Sequence, residues 1–194
     1  MPGSAVETRG TVVKVIDEIF EVFAKRGSGA YFGESVSMRD HALQAAYFAR
    51  AAMAPPSLVA AALLHDVGHL VVDVPDNLED WIEDARHEEI GSQWLAKRFP
   101  AEVSEPVRLH VPAKRYLCAT DAQYFSKLSP ASVATLKLQG GPMSTAEIAR
   151  FVTERYHKEA VKVRQWDDEG KVARLVTPDL EDYRALIEGL ASQP

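Results

Sequence analysis

A single cysteine, Cys118, leaves this chain of 194 residues without an internal disulfide, which excludes a disulfide-stapled scaffold and suits a reducing compartment. Cys118 follows Tyr116-Leu117, an apolar setting that raises a thiol pKa, so it reads as a packing residue and not a nucleophile. No run or stripe of Lys and Arg is present and the net charge is −6, which excludes the electrostatic footprint of a nucleic-acid binder. Long apolar runs are also missing. The longest, 58–64, is far too short to span a bilayer, and the N-terminus carries no charged-then-apolar leader. The expectation is a cytoplasmic protein with neither membrane nor nucleic acid as partner. Internal repeats, low-complexity tracts and linkers are absent too, and strand signals are scarce.

What is present is helical periodicity. Apolar residues recur at i, i+3 and i+4 through Val12, Val15, Ile16, Ile19, Phe20 and Phe23, and again through Ala42, Leu43, Ala46, Tyr47 and Ala49. The first helix stops at Arg26-Gly27-Ser28-Gly29 and the second at Pro55-Pro56, with Ser57 placed to cap a third over 58–66. Further helical patterns cover 85–99, 101–110, 130–138, 144–156 and 180–190. The one strand candidate is a short hairpin around Asp167-Asp168-Glu169-Gly170-Lys171 leading into 172–176. The expected fold is an all-α bundle with at most that hairpin near the C-terminus. It is read as one domain over 1–194, with its metal-binding core at about 31–183.

Five of the six histidines fall between positions 41 and 110, and all but His65 and His69 lie in separate predicted helices. His65 and Asp66 end a seven-residue apolar run, where two ionisable side chains are costly to bury unless something pairs with them. A metal ion is such a partner. His41 upstream and His87 and His110 downstream add imidazoles, and a carboxylate such as Asp66 can bridge two cations. His69 lies four residues after His65, on the same helical face, with Gly68 allowing close approach to the backbone. His157, within Glu154-Arg155-Tyr156-His157-Lys158, reads as solvated surface.

His41, the pair His65-Asp66 and the distant Asp167 resemble the ligand pattern of the HD-domain superfamily, which implies an HD-domain helical bundle. His87 and His110 extend the pattern as in its dinuclear branch. The resemblance implies that one metal takes His41, His65 and Asp167, the other takes His87 and His110, and Asp66 bridges them. Asp168 is adjacent and remains an alternative to Asp167. Dinuclear HD sites serve either phosphoester hydrolysis or oxidative cleavage with oxygen, so these ligands leave the reaction open.

Four further segments resemble the mixed-valent diiron oxygenases that cleave the carbon–phosphorus bond of hydroxylated phosphonates. They are Tyr31-Phe32-Gly33-Glu34, His110-Val111-Pro112-Ala113-Lys114-Arg115-Tyr116-Leu117, Leu138-Gln139-Gly140-Gly141-Pro142-Met143, and Arg164-Gln165-Trp166-Asp167 followed by Glu169-Gly170-Lys171. The resemblance implies two irons, Fe(II) and Fe(III), dioxygen as co-substrate and a small-molecule phosphonate as substrate. It implies a phosphonate site of His69, Lys114, Ser132, Thr135, Gln139 and Arg164. Tyr31 would cover an iron until substrate arrives, and Glu34 would receive a cationic amine. Lys114, Arg164 and hydroxyl or amide donors suit a dianion with three acceptor oxygens. A helix running on past His110 would put Lys114 on that ligand's face, but Pro112 points to a local turn. The implied substrate is a 1-hydroxy-2-aminoethylphosphonate or its N-methylated ammonio counterpart. Tyr31, Phe32, Tyr47 and Trp81 are candidate aromatic faces for a methylated headgroup. The alternative is a dinuclear HD phosphohydrolase acting on a nucleotide or phosphomonoester.

Overall fold

The computed structural model describes residues 4–31, 33–72 and 86–191, with side chains from residue 13 onward. Its helices, numbered in chain order, are α1 (Ser4–Arg26), α2 (Met38–Ala51), α3 (Pro56–Leu64), α4 (Val67–Val71), α5 (His87–Ala96), α6 (Ala101–Thr120), α7 (Ala122–Lys127), α8 (Pro130–Leu138), α9 (Thr145–Phe151), α10 (His157–Glu169) and α11 (Arg184–Leu190). A 3-10 turn, Leu180–Tyr183, precedes α11. The fold is all-helical. Among the described residues, β pairing is confined to one antiparallel bridge between Ala30 and Ser37.

Helix α3 is the axis of the molecule. Every residue from Leu58 to Leu64 is buried, so the helix is apolar all round and packs on α2, α6 and α10. Helix α6 in turn carries α10 on one side and α5 on the other. One continuous core joins Ile16, Ile19 and Phe23 of α1 to α2, α3, Val163 and Trp166 of α10, and Ile187 of α11. His65 and Asp66 therefore emerge from the centre of this core, between α3 and α4.

Several expected boundaries move, each for a physical reason. Pro55, with φ −61 and ψ 153, is the N-cap of α3 and Pro56 is its first helical residue, so Ser57 is inside the helix and caps nothing. Helix α6 does not turn at Pro112 but continues to Thr120, each internal proline removing one backbone hydrogen bond without ending the helix. Lys114 accordingly shares the face of His110. The hairpin expected at 167–171 does not form: Asp167 lies in the last turn of α10, and Gly170 is the helix C-cap. Arg164 pairs with Asp167 and Asp168 at i+3 and i+4, and Trp166 and Val163 turn into the core, which together favour the helix over a turn.

Candidate metal and anion site

The ligand candidates reach the centre from α2 (His41), the α3–α4 junction (His65, Asp66), α5 (His87), α6 (His110) and α10 (Asp167). Their ring nitrogens face one another in two pairs. Nε2 of His41 lies 3.1 Å from Nε2 of His65, and Nε2 of His87 lies 3.2 Å from Nε2 of His110. The opposite ring nitrogens are directed elsewhere: Nδ1 of His41 to the Gly170 carbonyl at 2.9 Å, of His65 to the Ala62 carbonyl at 2.8 Å, and of His110 to the Val107 carbonyl at 2.7 Å. In the neutral form each Nδ1 carries the proton it donates, and each Nε2 is left to bind a metal. Nδ1 of His87 lies 3.5 Å from the Glu88 carboxylate.

Asp66 stands between the two pairs. Its Oδ2 is 3.6 Å from His41 Nε2 and 3.4 Å from His65 Nε2, while Oδ1 is 3.4 Å from His87 Nε2 and 3.6 Å from His110 Nε2. Oδ1 of Asp167 adds a further oxygen 3.4 Å from His41 Nε2 and 3.9 Å from His65 Nε2. Oδ2 of Asp66 and Oδ1 of Asp167 are buried without a hydrogen-bond partner. Two imidazole nitrogens and two carboxylate oxygens without hydrogen-bond partners, converging on one point, are what a cation relieves. The spacing fits as well: with metal–ligand bonds near 2.1 Å, adjacent ligand atoms lie about 3.0–3.4 Å apart. His41, His65, Asp66 and Asp167 can hold one metal and His87, His110 and Asp66 a second. His69, which stacks on His87 with ring centroids 4.0 Å apart, also has a ring nitrogen close enough to Asp66 and His87 to share that second position.

The titration behaviour follows the same charges. Burial opposes ionisation of Asp66, yet His65 and His87 hold its carboxyl well below the ordinary range. Burial likewise opposes the Asp167 carboxylate, and Arg164 and Lys171 overcome it. Burial also works against a charged His65, but Asp66 and Asp167 raise it to about 9. His110, buried and close to His87 and His65, is lowered to about 3. His69 is held neutral by burial and by His87.

A cavity of about 380 Å³ opens beside the ligands. Tyr31, Glu34, His69, Lys114, Ser132, Thr135, Gln139 and Arg164 all line it, together with Asp66, His87, His110 and Asp167; His41 and His65 are fully buried and outside its lining. Tyr31 stacks on His41 at 3.8 Å between ring centroids and 20° between planes, and burial beside Asp167 and Asp66 raises its phenol pKa. Gly33 follows it at φ 79, a conformation that suits glycine, and Glu34 N–H donates to the Tyr31 carbonyl at 2.7 Å to close the turn. Oε1 of Glu34 and Oε1 of Gln139 are buried without hydrogen-bond partners. Lys114 Nζ donates to Thr135 Oγ1 at 2.9 Å, and burial together with Arg164 lowers its pKa to about 7. Arg164 donates to Asp167 Oδ2 at 2.6 Å, to Asp168 and, through Nε, to Tyr124. The Asp168 carboxylate thus faces Arg164 and Tyr124, and it is Asp167 whose oxygen faces the imidazoles.

Sequence reasoning did not single out Arg86, Glu88, Arg115 and Lys171, which also line the cavity. Glu88 adjoins a ligand in sequence, and Lys171 lies four residues past Asp167, a helical spacing hidden by the hairpin reading. His157, read as solvated surface, is half-buried, its ring centroid 6.0 Å from that of Phe151. Cys118 is only partly buried, and that burial raises its pKa. Of the candidate aromatic faces, Tyr31 lines the cavity and Tyr47 faces solvent beside Phe48, while Phe32 and Trp81 lie outside the described residues.

Residues 38–168 match the HD domain family. The chain is 45% identical over 174 residues, 89% of this chain and 86% of the relative, to hydroxymethylphosphonate dioxygenase of Gimesia maris. It is 40% identical over 185 residues, 95% of this chain and 93% of the relative, to [1-hydroxy-2-(trimethylamino)ethyl]phosphonate dioxygenase (glycine-betaine-forming) of Leisingera caerulea. An uncharacterized protein of Acanthamoeba polyphaga mimivirus is 29% identical over 178 residues, 91% of this chain and 81% of the relative. A buried His/Asp cluster fit to hold metal, a cation-lined cavity beside it and this degree of identity lead to one assignment: the chain belongs to the HD-domain phosphonate dioxygenases.

Proposed function

We propose that this chain uses O2 to cleave the carbon–phosphorus bond of a 1-hydroxy-2-aminoethylphosphonate, or of its N-methylated ammonio counterpart, releasing phosphate and glycine or an N-methylated glycine. One observation carries the reading: His87, His110 and the carboxylates of Asp66 and Asp167 line the same cavity as Lys114, Ser132, Gln139 and Arg164, with His41 and His65 buried against those carboxylates. The balance for the primary amine is one zwitterionic phosphonate dianion plus one O2 giving one glycine, one hydrogen phosphate and one proton.

His41, His65 and Asp167 would hold one iron and His87 and His110 the other, with Asp66 between them. Such a mixed-valent Fe(II)/Fe(III) pair supplies the redox chemistry that dioxygen requires. The residues around it bind and orient. Lys114, in its ammonium form, and the donors of Ser132 and Arg164 converge on the phosphonate oxygens. The neutral His69 imidazole offers one donor or acceptor beside them. Glu34 Oε1, buried without a partner, accepts from a cationic amine at the far end. Tyr31 covers the His41 ring, so substrate reaches that side only as the phenol swings away.

A second reading, that the substrate is hydroxymethylphosphonate, is favoured by the 45% identical relative, whose name carries that substrate. In that case formate replaces glycine and Glu34 has no amine to meet. The test is an anaerobic, iron-loaded sample offered both phosphonates. Phosphate release is expected only after air is admitted, and faster from the aminated substrate. Release without oxygen would point to the dinuclear phosphohydrolase instead, and release from hydroxymethylphosphonate alone would favour the second reading. No described helix is long and apolar enough to cross a membrane, and a chain with one cysteine suits the cytoplasm, where we place the enzyme.

A further inference from the structure

We propose that Lys171 is a phosphonate-binding residue, presenting together with Ser132 a cluster of donors to the anion that Lys114 meets from the other side. The inference rests on the phosphonate reading above.

Lys171 follows the C-cap of α10, and its side chain is only 12% exposed. Nζ lies 5.9 Å from the centre of the Tyr31 ring and lines the cavity. It donates to Ser132 Oγ at 3.0 Å, while the carboxylates of Asp167 and Asp168 stand off at 3.8 and 3.7 Å. An ammonium has three donors, and among the described residues Ser132 is the hydrogen-bond partner of one. Two remain for a ligand.

The state of Ser132 points the same way. Its oxygen accepts from Lys171 and, at 3.2 Å, from Ser129 Oγ. A hydroxyl has two acceptor positions and one hydrogen, so with both lone pairs engaged the hydrogen of Ser132 is left to donate. Thr135 differs. Its hydroxyl accepts from Lys114 and donates to the Ser132 carbonyl at 3.1 Å, so its hydrogen is committed within the helix. Thr135 therefore positions Lys114, and Ser132 with Lys171 presents donors.

Charge gives an independent argument. A phosphonate dianion needs about two positive charges beside it, since a buried unpaired charge is costly. Arg164 hydrogen-bonds both Asp167 and Asp168. Lys171 lies within ion-pair distance of the same carboxylates, but the one hydrogen bond of its ammonium among the described residues is to Ser132, which keeps its other donors open to a ligand. That leaves Lys114 and Lys171 as the lysines of the cavity wall, one to each side of α8's Ser132–Thr135 face.

The experiment is calorimetric binding of hydroxymethylphosphonate and of 1-hydroxy-2-aminoethylphosphonate to the iron-loaded protein without oxygen, where no turnover competes. Lys171→Met is expected to weaken both by roughly 10- to 100-fold, the range for losing a charge-assisted hydrogen bond, with two metals per chain retained. Lys171→Arg keeps the charge and is expected to recover most of that loss. Ser132→Ala combined with Lys171→Met is expected to cost less than the product of the single losses, because the two share one site. Lys171→Met binding both phosphonates within about twofold of wild type would overturn the assignment. So would a loss of affinity that follows a loss of metal, which would make Lys171 a support for Asp167. A wild-type protein that binds neither phosphonate would overturn the functional reading itself, and this inference with it.

Discussion

Asp66 is the residue on which both imidazole pairs depend, because each of its oxygens faces one of them. Asp66→Asn keeps the shape and removes the charge, so metal content is expected to fall from two per chain toward none, with activity down by at least about 100-fold. His110→Ala is expected to leave one metal, since His41, His65 and Asp167 are untouched. Asp168→Asn separates the two adjacent carboxylates: with its oxygens turned to Arg164 and Tyr124, it should keep both metals. Elemental analysis of the three purified variants checks all of this, and an Asp168→Asn protein depleted of metal would refute the assignment of Asp167. The cluster was legible in the sequence as a candidate metal site because metal binding demands particular side chains, and an apolar run ending in His65-Asp66 is costly to bury without a partner. The carbonyls of Ala62 and Val107 lie three residues before their histidines, as helical geometry dictates. The Gly170 carbonyl that orients His41 comes from 129 positions away and could not be read.

Between elements, the closest approach at the site is that of α4 and α5. A Cβ placed on Gly68 would lie 2.0 Å from the His87 carbonyl oxygen and 3.0 Å from the Gly91 nitrogen. Both are backbone atoms and cannot turn aside. Gly68→Ala is therefore expected to push α5 outward, at a cost of about 1–3 kcal/mol, and to loosen the second metal more than the first. Thermal melting and metal titration measure the two effects separately. A second element, α9, is fastened by Glu147. Its carboxylate accepts from the Ser144 backbone at 2.8 Å, from the Ser144 hydroxyl and from Arg115 at 2.7 Å, and those bonds lower its pKa to about 2. A depressed carboxylate stabilises the fold above its ordinary pKa of about 4.3, and the contribution is lost as pH falls from there toward 2. Glu147→Gln should accordingly melt below wild type at pH 6, and the gap should close as the pH approaches 2. Helix α8 was read to the residue because Pro130 opens it and its apolar spacing is regular. Helix α10 was not, since its charged composition and Glu169-Gly170 imitate a turn, and the buried Ala160, Val163 and Trp166 reveal its inner face.

At the scale of the whole molecule, the centre of the bundle is charged where bundles are ordinarily apolar. Four imidazoles and two carboxylates, all buried, sit where α2, α3, α5, α6 and α10 meet. Glu34, Lys114 and Gln139 were reached through the family resemblance and not through their spacing, and Lys171 was not reached, because these residues come together only through packing of segments distant in sequence. Without a metal the buried carboxylates are relieved only in part, by a proton on His65 whose pKa they raise to about 9, so metal binding and stability are linked. A ligand bound only by the folded state stabilises it by about 4 kcal/mol at a thousand times its dissociation constant. For a chain of this size each kcal/mol is worth about 2–4 °C of melting temperature. Stripping metal with a chelator is thus expected to lower the melting temperature by roughly 10 °C, and iron added back under anaerobic conditions should restore it. The same experiment on Asp66→Asn should give a small shift, because the bridge that joins the two positions is gone. Equal shifts in the two proteins would mean that metal is held elsewhere, and the convergence of five helices on Asp66 would need another cause.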